Sequence, residues 1–236
     1  MTGGQGAFQI MLKVPPHPDY PPEEGRYIRG NDSSPVVVVI ILNRKDDEIP
    51  PEIEKLVRTG VESGAALAGT VQTENIGFEK IICNVVANPN IRYAILSGPE
   101  SEGHLTGEAF KALFKNGVDE KKRIIGTNSP HPLLYNLPLE FIERFRKQVA
   151  LIDLQFRGTP ELIRKAVWSC YQETPVDFEG HSIYDIGAFP EPPLSGKITQ
   201  RVMQPWTLPK DEKEAAAVRK MQDMIEKLKR KREAKS

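Results

Sequence analysis

PVVVVIILNRKDDEIPPEIEKLVRTGVESGAALAGTV, Pro35 to Val71, reads as strand, helix, strand. Val36 to Leu42 is an unbroken aliphatic run, the pattern of a strand buried on both faces by flanking helices. From Pro51 to about Leu67 the apolar residues Ile53, Leu56, Val57, Val61 and Ala65 recur on one helical face, and Ala68 to Val71 forms a second short strand. The same alternation continues downstream. A helix carrying Phe78, Ile81, Ile82, Val85 and Val86 stops at Asn88-Pro89-Asn90, because a residue before proline is pushed out of the α region. Strand Ile91 to Leu96 leads to a helix with Ala109, Phe110, Leu113 and Phe114, and Asn116-Gly117 supplies its left-handed stop. Strand Arg123 to Gly126 precedes a helix with Phe141, Ile142 and Phe145 inward. Strand Val149 to Leu154 precedes one opened by Thr159-Pro160-Glu161, an N-cap followed by a first-position proline. Five strands alternating with five helices predict a doubly wound, mainly parallel five-stranded α/β sheet with helices on both faces, in a domain spanning residues 35–172.

The flanks lack this rhythm. Residues 1–34 form a proline-rich arm, with Pro15, Pro16, Pro18, Pro21 and Pro22 favouring extended chain on the surface; the opening Met1 to Gln5 is similar to a common expression tag and carries no functional weight. Residues 173–209, again proline-rich, read as a wrapping segment. Residues 210–236 read as a charged helix with Val218, Met221, Ile225 and Leu228 at heptad spacing. The 236 residues hold 32 basic and 32 acidic side chains, so no surplus of positive charge points to nucleic acid. The longest aliphatic run, Val36 to Leu42, falls far short of the roughly 20 residues that span a bilayer, and no secretory leader is legible. A cytoplasmic protein without a membrane anchor is expected. Cys83 and Cys170 have no CxxC spacing, which argues against a disulfide scaffold or thiolate metal site.

In an open parallel sheet, ligands bind at the carboxyl ends of the strands. Two loops fall there: SGPESEGHLTGE, Ser97 to Glu108, and TNSPHP, Thr127 to Pro132. Gly98, Gly103 and Gly107 admit close approach of backbone to a large ligand. Glu100 and Glu102 bring carboxylates beside His104, and Thr106 is placed to cap the following helix. A phosphate-binding loop would need lysine and a hydroxyl after the last glycine, and a dinucleotide fingerprint would sit at the first strand–helix turn; neither is present. Neither loop holds a cysteine or an elbow-type serine. A divalent metal held by His104 with Glu100 or Glu102 competes with a histidine that merely braces a turn. Composition and spacing thus reach a ligand site near His104.

The stretch TENIGFEKIICNVVANPNIRYAILSGPESEGHLTGEAFKALFKNGVDEKKRIIGTNSPHP, Thr73 to Pro132, carries the blocks TENIG, NPNIRY, GPE, GHLTG and NGVD. In combination these resemble the A subunit of the sodium-pumping tetrahydromethanopterin S-methyltransferase of methanogenic archaea, over about Pro35 to Asp153. The resemblance implies a Rossmann-like fold and a bound corrinoid, cobalamin or a related cobamide, as methyl shuttle. It makes His104, in the GHLTG block, the axial ligand of cobalt and the catalytic residue. A carboxylate on the other ring nitrogen would tune that ligand; Glu102, two residues before His104, is placed first, with Glu74 and Glu100 as rivals. The cofactor would rest against Gly98, Pro99, Glu100, Glu102, Gly103, Thr106, Gly107, Gly126, Thr127, Asn128 and Ser129 as well as Glu74. The implied function is methyl transfer on cobalt from methyl-tetrahydromethanopterin or another donor to a thiol such as coenzyme M, with methyltransferase partner subunits. The alternative is a regulatory or storage module that binds corrinoid without turnover. The family's complex member ends in a membrane helix; RKMQDMIEKLKRKREAKS here does not resemble one, so sodium pumping is not implied.

Overall fold

The computed structural model describes residues 12–43, 46, 48–198, 212, 216 and 219. The chain divides into two units, Met1–Thr199 and Gln200–Ser236. In the second, Glu212, Ala216 and Arg219 are helical and exposed; the rest of the expected charged helix lies outside the described residues, as do Met1 to Met11.

The first unit is a mixed α/β fold. Its strands are β1 (Tyr27–Arg29), β2 (Val36–Ile41), β3 (Leu67–Val71), β4 (Tyr93–Gly98) and β5 (Ala150–Gln155), in the order β1-β3-β2-β4-β5. Only β1 runs antiparallel, pairing Ile28 with Ala68; β3, β2, β4 and β5 are mutually parallel. Five helices accompany them: α1 (Pro51–Glu62), α2 (Ile76–Val86), α3 (Thr106–Asn116), α4 (Leu139–Gln148) and α5 (Pro160–Ser169). Because successive strand residues face opposite ways, β2 divides its side chains between two cores. Val36, Val38 and Ile40 pack with Ile53, Leu56 and Val57 of α1 and with Ile163 and Val167 of α5. Val37, Val39 and Ile41 pack with α2, α3 and α4, where Phe78, Phe110 and Phe145 are fully buried. Every residue of β2 is buried, as its unbroken aliphatic sequence requires.

Three expectations need correction. Arg123 to Gly126 is no strand of the sheet: it folds back on its neighbours through the bridges Val118–Ile124 and Arg123–Leu133. β4 pairs directly with β5, Ser97 opposite Leu154, leaving no slot between them, and only Ile124 of the four residues is buried whereas Ile125 is 46% exposed. The fifth strand comes instead from the arm. That segment is no loose surface chain: Asn84 exchanges two hydrogen bonds with the Glu23 backbone, Asn90 does the same with Val14, and Tyr20 is buried in the core. Helix α1 ends at Glu62 rather than near Leu67, since Leu67 already belongs to β3. Within the wrapping segment a hairpin forms, β6 (Val176–Phe178) and β7 (His181–Ile183). Beyond it, Phe189 is held between the guanidinium groups of Arg144 and Arg92, 4.3 and 5.2 Å from the ring centre.

The stops read from sequence hold. Gly117 ends α3 at φ 75°, and Thr159 accepts from Leu162 N at the start of α5. Cys83 and Cys170 are free and buried, and burial pushes the Cys83 thiol up to about 12.

Glu79 of α2 is fully buried, accepting from Asn136 N at 2.7 Å and Asn136 Nδ2 at 2.8 Å. Burial raises its pKa above the ordinary 4.5, opposed by the Asn136 bonds and by Lys122. With the folded value above the unfolded one, its contribution to stability is complete below the unfolded pKa and is lost as pH rises through the folded one. Glu79→Gln should therefore gain stability relative to wild type as pH rises from about 4 to about 7. Paired urea midpoints across that range test this; a constant gap between the two proteins would contradict it.

Candidate functional site

The loop after β3 carries Glu74, and the loop after β4 carries His104. The two strands flank β2, so both loops leave the same sheet edge and lead into α2 and α3 on the same face. Gly98 ends β4 at φ +97°, where a side chain would meet the Ile41 backbone; glycine alone allows that turn.

From there the chain closes on itself. Glu100 takes the capping role expected of Thr106. One carboxylate oxygen accepts from Ser101 N at 2.9 Å and Gly107 N at 2.7 Å; the other accepts from Glu108 N and Gln155 Nε2, both at 3.1 Å. Gly107 N and Glu108 N are orphan donors of the first turn of α3, satisfied by an anion where the helix dipole favours one. Thr106 is already inside the helix, whose preceding residue Leu105 is left-handed at φ 51°. Its hydroxyl instead donates to the Gln72 carbonyl at 2.8 Å, which also accepts from Ser101 Oγ at 3.1 Å. The Gln155 side chain lies against Gly107, 2.1 Å from where a Cβ would stand, so a larger residue there would displace Gln155 from Glu100.

At the centre of the site His104 Nδ1 bonds Glu74 Oε2 at 2.6 Å. The Glu74 side chain is wholly buried and that of His104 is 17% exposed. Glu74 Oε1 accepts from His131 N at 2.9 Å, so one carboxylate ties together the loops of Glu74, His104 and His131. Ser129 Oγ donates to the His104 carbonyl at 2.7 Å. Glu108 accepts from Thr127 Oγ1 at 3.0 Å and from Asn128 N, holding that third loop against α3. His104 Nδ1 therefore bonds Glu74, where sequence nearness places Glu102 first; neighbouring sheet edges outweigh nearness in sequence.

Glu74, His104, Thr106, Thr127, Asn128 and Ser129 are thus joined in one bonded cluster, with Glu100 and Gly107 clamping the loop from α3. Gly98 and Pro99 open instead onto a crevice of about 520 Å³ bounded by Leu56, Phe156 and Pro160. Gly126 stands beside Asn116 at the far end of α3. Missed from sequence were Glu108, Gln155 and the Gln72 carbonyl. The first-turn position of Glu108 marks it as a helix-start acid, but nothing in the sequence connects it to Thr127.

The arrangement leaves one ring nitrogen of His104 as a possible donor. With Nδ1 bound to an acid, Nε2 is the ring nitrogen left to donate, in a fixed tautomer. Among the described residues no group of three or more histidine, cysteine or acidic side chains is placed to chelate an ion, and Glu100 is committed to α3 and Gln155. His104 thus offers a single imidazole donor beside the polar Thr127–Ser129 loop.

Comparison with known proteins gives a consistent result. Residues 13–186 match the family described as the A subunit of tetrahydromethanopterin S-methyltransferase, a longer span than Pro35 to Asp153. The chain is 38% identical over 194 residues to the protein named as the A 2 subunit of tetrahydromethanopterin S-methyltransferase in Methanothermobacter thermautotrophicus, covering 82% of this chain and 94% of that protein. It is 40% identical over 172 residues to the A 2 subunit of Methanobrevibacter ruminantium, 72% of this chain and 83% of the relative. Against the A 1 subunit of the same organism it is 40% identical over 168 residues, 71% of this chain and 64% of the relative.

Proposed function

The chain belongs to the family of the tetrahydromethanopterin S-methyltransferase A subunit, and from that membership we propose that it is the corrinoid-carrying component of a methyltransferase. The observation that carries this reading is the 2.6 Å bond between His104 Nδ1 and the buried Glu74. When bound, the corrinoid supplies a cobalt nucleophile that takes a methyl group from methyl-tetrahydromethanopterin, or a similar donor, and yields it to a thiol such as coenzyme M.

The chain's own residues hold and orient. His104 Nε2 would hold the metal, and Glu74, as acceptor, would keep the proton on Nδ1 and raise the donor strength of Nε2. Ser129 fixes the His104 backbone, while Thr127 and Asn128 would present polar edges to the macrocycle. The fold is of the Rossmann-like, doubly wound kind on this reading, supported by the two-sided helix packing and by the reversal of strand order about β2. Methyltransferase partner subunits supply donor and acceptor sites. Among the described residues no helix is long and apolar enough to cross a membrane, which suits action in the cytoplasm.

The test is electron paramagnetic resonance of the Co(II) state loaded with cobinamide, a corrinoid lacking its own base. Wild-type protein should show hyperfine splitting from one protein nitrogen, and His104→Ala should lose it while His131→Ala keeps it. Splitting that survives in His104→Ala would overturn the ligand assignment.

A further inference from the structure

We propose that residues 213–235 bind the surface of an anionic membrane as an amphipathic helix, a contact independent of the corrinoid. Charge is unevenly divided along the chain. Lys210 to Ser236 holds ten basic and six acidic side chains, against 22 basic and 26 acidic in residues 1–209, so a chain that is neutral as a whole carries one cationic stretch. The excess is concentrated in Lys227 to Ser236, where six cations accompany a single acid, Glu233. A cluster of this size on an amphipathic helix is the sequence signature of anionic lipid headgroups.

The same stretch is two-sided. At 3.6 residues per turn, Val218, Met221, Met224, Ile225 and Leu228 fall within about a third of the circumference. Lys213, Lys220 and Lys227 recur every seventh residue along one border of that stripe, while Asp223, Glu226 and Glu233 take the opposite side. Among the described residues, Glu212, Ala216 and Arg219 are helical and exposed. By the same spacing all three lie opposite the stripe, so the side that faces water is the polar one. Cations bordering an apolar stripe suit a bilayer surface: the stripe enters the headgroup boundary and the lysine stems reach back to the lipid phosphates.

Other occupants fit less well. Nucleic acid would use the cations and leave the stripe in water. In a parallel coiled coil with a second copy, Arg232 and Lys235 would follow Ile225 and Leu228 as core positions and face their own counterparts. Two apolar heptads are too short a seam to offset that.

The test is co-sedimentation of the full chain with vesicles of phosphatidylglycerol and, separately, of phosphatidylcholine, without corrinoid. Wild type should bind the anionic vesicles about tenfold tighter or more than the neutral ones, a preference that fades as salt screens the headgroups. Ile225→Asp, which puts a charge in the stripe, and the pair Lys229→Glu with Lys231→Glu, which reverses two cations, should each weaken binding to the anionic vesicles by about tenfold or more. All three positions belong to the second unit, outside the α/β core, and circular dichroism checks that the variants fold. Equal binding to both vesicles, binding to neither, or Ile225→Asp at wild-type affinity would overturn the proposal. So would duplex DNA bound as tightly as the anionic vesicles and indifferent to Ile225→Asp, or a dimer in light scattering without vesicles that Ile225→Asp dissolves. None of these outcomes bears on the corrinoid assignment.

Discussion

On the proposed corrinoid reading, replacing Glu74 by glutamine is expected to weaken corrinoid binding by about 10–100-fold, the usual cost of losing the group that orients a metal-bound histidine. The glutamine keeps the shape and still offers an oxygen to His131 N, the second bond that Glu74 makes. What changes is the partner of His104. A carboxylate can only accept, so it holds the proton on Nδ1 and frees Nε2. An amide nitrogen turned toward Nδ1 donates instead and drives the proton to Nε2, the tautomer that cannot ligate a metal. Absorbance titration with cobinamide measures the loss, and an unchanged melting temperature shows that the fold is intact. Wild-type affinity in a folded Glu74→Gln protein would mean that ligation does not pass through this pair.

Phe110→Ala should cost about 3–5 kcal/mol of folding stability. Phe110 is fully buried and stands at the centre of an aromatic cluster, with ring centres 5.0 Å from Phe78, 5.3 Å from Phe114 and 6.3 Å from Phe145. These rings join α2, α3 and α4, the three helices on the face that carries His104. Truncation removes the transfer energy of a large ring and leaves a void that three separate helices would have to move to fill. Against a net stability of about 5–15 kcal/mol for a domain, the change is severe. Urea unfolding measures it, and a loss below about 1 kcal/mol would show the cluster to be loosely packed.

Burial made some elements plain in the sequence. Val36 to Ile41 is aliphatic at every position because both faces of β2 are covered, and Phe110 and Leu113 recur at helical spacing because α3 has one inner face. β1 was not legible: Tyr27–Arg29 has no buried position, so its pairing with β3 left no pattern to read. Arg123 to Gly126 misled for the opposite reason, its two adjacent isoleucines imitating a short strand although only Ile124 is covered. At the site, His104 and its loop were readable from glycine spacing and resemblance. Its partner was not, since Glu74 lies thirty residues earlier and meets it only because parallel strands bring their carboxyl ends to one edge. Local proximity favoured Glu102, and Thr106 as cap, where the fold employs Glu74 and Glu100.

The clasp of Glu100 on Gly107 and Glu108 turns the segment from Glu100 to Glu108 into a ring of fixed circumference. Its two ends are pinned by the same carboxylate, and Gln155 backs that carboxylate from β5. Adding one residue inside the ring would lift His104 off Glu74 or pull Glu100 from the helix start, and removing one would do the same from the other side. Sequence change within it is therefore confined to exchanging side chains at constant length. Gly103, left-handed at φ 78°, is closed even to that exchange, and a library of single-residue insertions beside it should yield folded proteins that no longer hold the imidazole in register.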